Sequence, residues 1–163
     1  MSRRWMCAAC LVLATSVVVG TVRGQGAAVD REGIGHLLSA LRVAWDRHDA
    51  DALAALWAPT GDYVNATGVV AEGQAEVLRL FDDEQKGVMR GTRVGVTLVR
   101  ARALGDDMAF IDAEVELRGV KAGDREMPPL EHLLAAVVVR SESGWKFLAA
   151  RLSVPVPAAP SNP

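Results

Sequence analysis

The chain has 163 residues, of which half are hydrophobic and 23% charged, and a net charge of −2. Eighteen basic residues against twenty acidic ones leave no electrostatic footprint for nucleic acid or an anionic membrane surface. That size suits one domain with its own core.

Arg3 and Arg4 precede AACLVLATSVVVG, an apolar and small-residue run over 8–20, and Val22-Arg23-Gly24 offers a cleavage site. This is the pattern of a secretory signal peptide over 1–24, with cleavage after Ala28 as a second option and an uncleaved anchor as the competing reading. The expected location is secreted or periplasmic, with no stable membrane association after signal cleavage. Cys7 and Cys10 lie inside this segment, so the mature chain carries no thiol for a disulfide or a metal site. Losing Arg3, Arg4 and Arg23, and no acid, takes the net charge from −2 to −5.

The domain is expected over 25–154. Ile34, Leu37, Leu38, Leu41, Ala44 and Trp45 recur at three and four residues, which predicts a helix capped by Asp30, with Gly33 as its weak point. A shorter helix follows, capped by Asp49 or Asp51, with Leu53, Leu56 and Trp57 inward and Pro59 and Gly61 stopping it. Asp62–Thr67 and Val69–Glu72 predict a short hairpin about Gly68, and a third helix begins at 73. Its stripe is Val77, Leu78, Leu80, Phe81 and, at its margin, Glu84.

Four alternating runs then predict long strands at 92–104, 107–120, 130–141 and 144–154. The tail at 155–163 holds four prolines and reads as a loose terminus. Helices at one end and strands at the other predict an α+β fold. Its expected form is a cone: a curved antiparallel sheet of four long strands plus a short hairpin, covered by three N-terminal helices, with a cavity between.

These residues resemble a known family. AWDRHDADALAALWAPTGDYVNATGVVAEGQAEV, then RGTR, GDDMAFIDAEVEL and LLAAVVVRSESGWKFLAA, are similar to the SgcJ/EcaC group of SnoaL-like proteins. That group belongs to the nuclear-transport-factor-2-like superfamily, which includes ketosteroid isomerase. The resemblance spans about 34–154 and implies a cone-shaped barrel, a homodimer paired through the sheet, and a pocket between helices and inner sheet face. Members include isomerases, cyclases and dehydratases. Two positions depart from the group: Phe81 stands where a His is common, and Leu152-Ser153 where Asn-Thr is common.

The candidate catalytic residues are Tyr63, His132, Arg151 and Asp112. Strand neighbours point to opposite faces, so only one of Asp62 and Tyr63 can enter the cone. Tyr63 either donates a hydrogen bond to a ligand oxygen or packs in the core. His132 and Arg151 each sit on a largely apolar strand face, where they serve a cavity mouth or merely a neighbour. In DMAFIDAEVEL the face Ala109, Ile111, Ala113, Val115 and Leu117 is the cleaner core face. Asp112 becomes a buried acid or base only if the opposite face turns in.

Candidate ligand-binding walls are Trp45, Trp57, Phe81 and Phe147, with plain core packing as the alternative. His36 and His48 read as surface or loop residues, and Asp82, Asp83 and Glu84 as caps or a solvated face. The chain has no metal-ligand spacing, P-loop, dinucleotide fingerprint or nucleophile elbow, so no cofactor and no metal are expected. Two functions remain: a small-molecule pocket for an apolar or aromatic carbonyl compound with proton-transfer chemistry of the isomerase or hydratase type, or a non-catalytic homodimeric module with a closed pocket.

Overall fold

The computed structural model describes residues 28–156. The expected signal peptide at 1–24 lies outside the described residues, as does most of the tail at 155–163. The elements run α1 (Arg31–Asp46), α2 (Ala50–Ala54), β1 (Trp57–Val64), β2 (Val70–Glu72), α3 (Gln74–Lys86), β3 (Arg93–Ala103), β4 (Met108–Arg118), β5 (Lys121–Ala122), β6 (Arg125–Glu126), β7 (Leu130–Ser141) and β8 (Gly144–Ser153). Among the described residues no helix is long and apolar enough to cross a membrane.

Asp30 caps α1: its carboxylate accepts from the Gly33 N–H at 2.8 Å, from the Trp145 indole at 3.0 Å and from Arg140 at 2.9 Å. Those donors, the backbone N–H foremost, hold its carboxyl down at about 2. Gly33 is not simply a weak point. A Cβ there would lie 2.7 Å from the Trp145 ring, so the glycine lets that indole reach the cap. The predicted stripe of α1 is buried throughout, from Ile34 at 0% exposure to Trp45 at 9%. Each buried Ile or Leu of the stripe contributes about 1.5–3 kcal/mol.

The main sheet has six strands in the order β2-β1-β8-β7-β4-β3. Its long strands are antiparallel neighbours, as the alternation predicts. The short hairpin is part of the same sheet, and β1 runs parallel to β8, so the sheet is mixed rather than antiparallel throughout. The curved sheet and its helices form the α+β cone. The loop after β4 also holds a two-residue ladder, β5 with β6, that the sequence reading leaves as loop.

Trp57 is not on a helix. The chain leaves α2 at 54, and Trp57 opens β1 opposite Phe147 of β8. Ala58, Pro59, Thr60 and Gly61 form an excursion before pairing resumes at Asp62 opposite Ala149. Gly61 sits where a Cβ would approach the Phe147 carbonyl oxygen to 2.7 Å, so the excursion needs a residue without one.

The core lies between the helices and the inner sheet face. Ala109, Ile111, Ala113, Val115 and Leu117 of β4 all face it, which is the cleaner of the two faces read from the sequence. Leu134, Ala136 and Val138 of β7 and Trp145, Phe147 and Ala150 of β8 complete it.

Candidate functional site

A cavity of about 410 Å³ opens between α1, α3 and the inner sheet face. Its walls are apolar: Leu41 and Trp45 of α1, Phe81 of α3, Val94 of β3, Val115 and Leu117 of β4, and Leu134 and Leu152 of β7 and β8. Its mouth lies between the turn after β1, at Ala66, Thr67 and Val69, and the connection after α3, at Gly87, Val88 and Met89. Val88 is 73% exposed and Val69 48%, so apolar side chains rim the opening.

An aromatic stack closes the inner end. Trp57 meets Phe147 at 4.6 Å, Phe81 at 5.2 Å and Tyr63 at 5.5 Å, and Tyr63 stacks on Phe81 at 5.2 Å. Trp45 meets Phe81 edge-on at 6.2 Å. Trp45, Trp57 and Phe81 all line the cavity without filling it. Phe147 is fully buried behind Trp57 and does not line the cavity.

Alternation on β1 answers which of Asp62 and Tyr63 turns in. Tyr63 is 5% exposed and lines the cavity. Asp62 turns outward, pairs with Arg151, and accepts from the Trp57 indole through its main-chain carbonyl at 3.1 Å. Burial is the main cause that raises the Tyr63 phenol above its usual range, and the nearby Glu84 carboxylate adds to it.

Arg151 therefore does not reach the cavity. In β7–β8 pairing, Val137 opposes Ala149 and Val138 opposes Phe147, so Leu148 is an extra residue. That bulge reverses the parity of the strand: Trp145 and Phe147 face in before it, Ala150 and Leu152 after it, and Arg151 faces out. Asp112 is also outside, on the β4 face opposite the core, bridged to Arg100 at 2.8 Å. Neither residue can serve as the expected cavity acid, base or clamp from these positions.

His132 does line the cavity, is 8% exposed, and its Nδ1 is buried without a hydrogen-bond partner. An unpaired buried ring nitrogen is a costly feature in a core, and this one is occluded from the cavity itself. His36 and His48 are exposed.

Two cavity groups were not among the sequence candidates. Glu84 lines the cavity half-buried, and its Oε1 accepts from the Asn65 amide Nδ2 at 2.7 Å. Burial raises its carboxyl above the ordinary value, and the Asn65 bond partly offsets this. Asn65 Oδ1 also accepts from Thr67 N–H at 3.1 Å, the Thr67 hydroxyl at 2.9 Å and Val69 N–H at 2.8 Å. One side chain thus folds the mouth turn and ties it to α3. The signal for Glu84 was present: it lies three residues past Phe81 and seven past Val77, on the inward stripe.

The α1 end is fixed independently. The Trp45 indole donates to Thr92 Oγ1 at 3.1 Å, and that hydroxyl donates to the Met89 carbonyl at 2.7 Å. Among the described residues no group of three or more His, Cys, Asp or Glu side chains converges as a metal site.

Residues 34–157 match the family model of the SnoaL-like domain. No match was found among curated proteins. Three similar solved structures share the architecture. A cystatin-like domain of unknown function from Nostoc punctiforme is 17% identical, with TM-score 0.70 and 79% of each chain covered. A ketosteroid isomerase-like protein from Erwinia carotovora atroseptica is 17% identical, with TM-score 0.64, covering 77% of this chain and 96% of that one. An NTF-2-like protein of unknown function from Shewanella oneidensis is 16% identical, with TM-score 0.63, covering 77% and 99%. At such identities the likeness shows the fold, which is nuclear-transport-factor-2-like. The family match is to the domain as a whole and does not resolve the SgcJ/EcaC group. With its cone, its cavity and this match over most of its length, the chain belongs to the SnoaL-like domain family.

Proposed function

We propose that this protein is an exported small-molecule pocket protein that binds an apolar or aromatic carbonyl compound and moves a proton beside its carbonyl. The observation that carries the reading is an open cavity of about 410 Å³ whose apolar walls surround a few polar groups: Tyr63, Asn65, Glu84 and His132. Ligand sites are typically of this size and composition. The ketosteroid isomerase-like neighbour supports the same class of chemistry. Export rests on the leader pattern at 1–24.

In this proposal the ligand oxygen receives the Tyr63 hydroxyl proton in a hydrogen bond. Glu84, which lines the same cavity as Tyr63, takes the proton from the adjacent carbon. The C–H pair becomes the C=C bond of an enolate while the C=O π pair moves onto the oxygen, and the flow reverses as the Glu84 carboxyl returns the proton at the same or a conjugated carbon. Burial raises the Glu84 carboxyl, which makes it a stronger base than an exposed carboxylate.

Calorimetric titration with 2-acetylnaphthalene tests the reading. Tyr63→Phe is expected to weaken binding about tenfold, the worth of one buried hydrogen bond, while Arg151→Ala leaves it unchanged. Equal affinity in wild type and Tyr63→Phe, or loss in Arg151→Ala alone, would contradict the reading. Deuterium uptake at the ligand methyl, followed by proton NMR, reports the proton transfer.

A homodimer through the outer sheet face is proposed alongside it. Leu133 is 47% exposed there, and Phe110, Val137 and Val139 are only half-covered on the same face. Phe110 lies opposite Val137 in the β4–β7 ladder, so the apolar positions are contiguous. The double substitution Leu133→Glu with Val137→Glu should give a monomer by light scattering with the far-UV spectrum intact. A wild-type monomer, or a variant that stays dimeric, would refute this pairing.

A further inference from the structure

The titratable groups on the cavity wall carry no permanent positive charge. They are Tyr63 of β1, Asp83 and Glu84 of α3 and His132 of β7, while α1 and β4 contribute only apolar side chains such as Leu41 and Val115. No lysine or arginine lines the cavity, and Arg90, beside Met89 at the mouth, is exposed and is not a wall residue. Arg151 pairs with Asp62, Lys86 with Asp82 at 2.6 Å, and Arg93 with Asp46 at 3.7 Å. Asp83 is exposed at the mouth, which leaves Glu84 as the half-buried acid within. Its single protein partner is a neutral amide, Asn65.

Resting on the ligand reading above, we infer that Glu84 sets the charge class of the ligand: the cavity accepts an uncharged molecule with a hydrogen-bonding oxygen and rejects its carboxylate analogue. The physical ground is twofold. An anion entering this cavity loses water to apolar walls and finds no guanidinium or ammonium to replace it. It also meets a carboxylate of the same sign in a medium of reduced dielectric, where repulsion is far stronger than in water. A neutral ketone meets neither cost, and it accepts from Tyr63 and, when protonated, from Glu84. A cation would gain from Glu84 but still lose its hydration to the apolar walls.

The two terms separate on substitution. Glu84→Gln keeps the size of the side chain and an oxygen to accept from Asn65, and it removes only the like charge. The expected sign with pH follows from the raised carboxyl: as pH falls through its titration, Glu84 becomes neutral and repulsion fades.

Equilibrium dialysis with 2-acetylnaphthalene, 2-naphthoate and 2-naphthylmethylamine at pH 8 provides the test. These probes share one ring system and differ in charge. The wild type should bind the ketone about tenfold or more tighter than the naphthoate. In Glu84→Gln the gap should narrow by about threefold or more as the like charge is removed, and what remains is the cost of desolvation. With wild type alone, the gap should shrink as pH is lowered, which keeps the test independent of how the variant folds. Naphthoate binding as tightly as the ketone would overturn the inference while leaving the ligand reading standing. So would tightest binding of the amine, or a gap unmoved both by Glu84→Gln and by pH. Binding of none of the three would overturn the ligand reading and the inference with it.

Discussion

Replacing Trp57 with Ala is expected to lower stability by about 3–5 kcal/mol, the usual cost of deleting a large buried aromatic. Trp57 is 2% exposed and touches Phe147, Phe81 and Tyr63, so its loss leaves three rings without a shared face. The Asp62 carbonyl also loses its indole donor. Trp57 opens the strand that runs parallel to β8, and the cavity's inner wall is built on it. Since small domains hold only about 5–15 kcal/mol in total, this variant should unfold at much lower urea, measured by circular dichroism. Trp57→Phe should lose less, because a ring remains. An Ala variant within about 1 kcal/mol of wild type would mean that the stack does not support the core.

The second large effect is expected at Asn65. Asn65→Ala removes the amide donor to Glu84 and three bonds that shape the mouth turn. A cost of about 2–3 kcal/mol is expected, since buried partners are left unpaired. The loss should grow with pH. Glu84's carboxyl is already raised in the folded state by burial, and the Asn65 bond is what lowers it. A carboxyl raised on folding favours the native state while protonated, and that advantage is lost as pH rises through its folded value. Without Asn65 the folded value rises further, so the deficit of the variant should be larger at pH 8 than at pH 5. Urea midpoints at both pH values measure this. A deficit that is equal at both, or larger at pH 5, would show that Asn65 and Glu84 are not coupled.

Much of the fold was legible because it is local. The α1 stripe from Ile34 to Trp45, the Asp30 and Asp49 caps and the strand alternation of β4 all express contacts within one element. What escaped was non-local. Leu53, Leu56 and Trp57 continue a helical spacing, and only the pairing of Trp57 with Phe147, ninety residues on, makes it a strand. The parallel β1–β8 contact has no signature in either segment.

The site was legible in part for the same reason. Tyr63 and His132 lie where alternation allows, and both line the cavity. Arg151 was misdirected by a single bulged residue, Leu148, which no period-two reading can detect. Asp112 obeyed the cleaner face of its strand and went out, to Arg100. Glu84 was hidden by its neighbours, since Asp82-Asp83-Glu84 reads as a solvated run although the helix turns its third member inward. Asn65 fell inside the predicted strand Asp62–Thr67, and its four bonds appear only once the mouth turn is closed.

The central claim is that the hollow between helices and inner sheet face is where a ligand sits. Methyl-labelled Leu and Val spectra recorded during a titration with 2-acetylnaphthalene test it most directly. Shifts should concentrate on Leu41, Val94, Val115, Leu117, Leu134 and Leu152, which line the cavity, and spare Leu133, Val137 and Val139 on the outer face. Shifts confined to the outer face, or none at saturating ligand, would contradict the account.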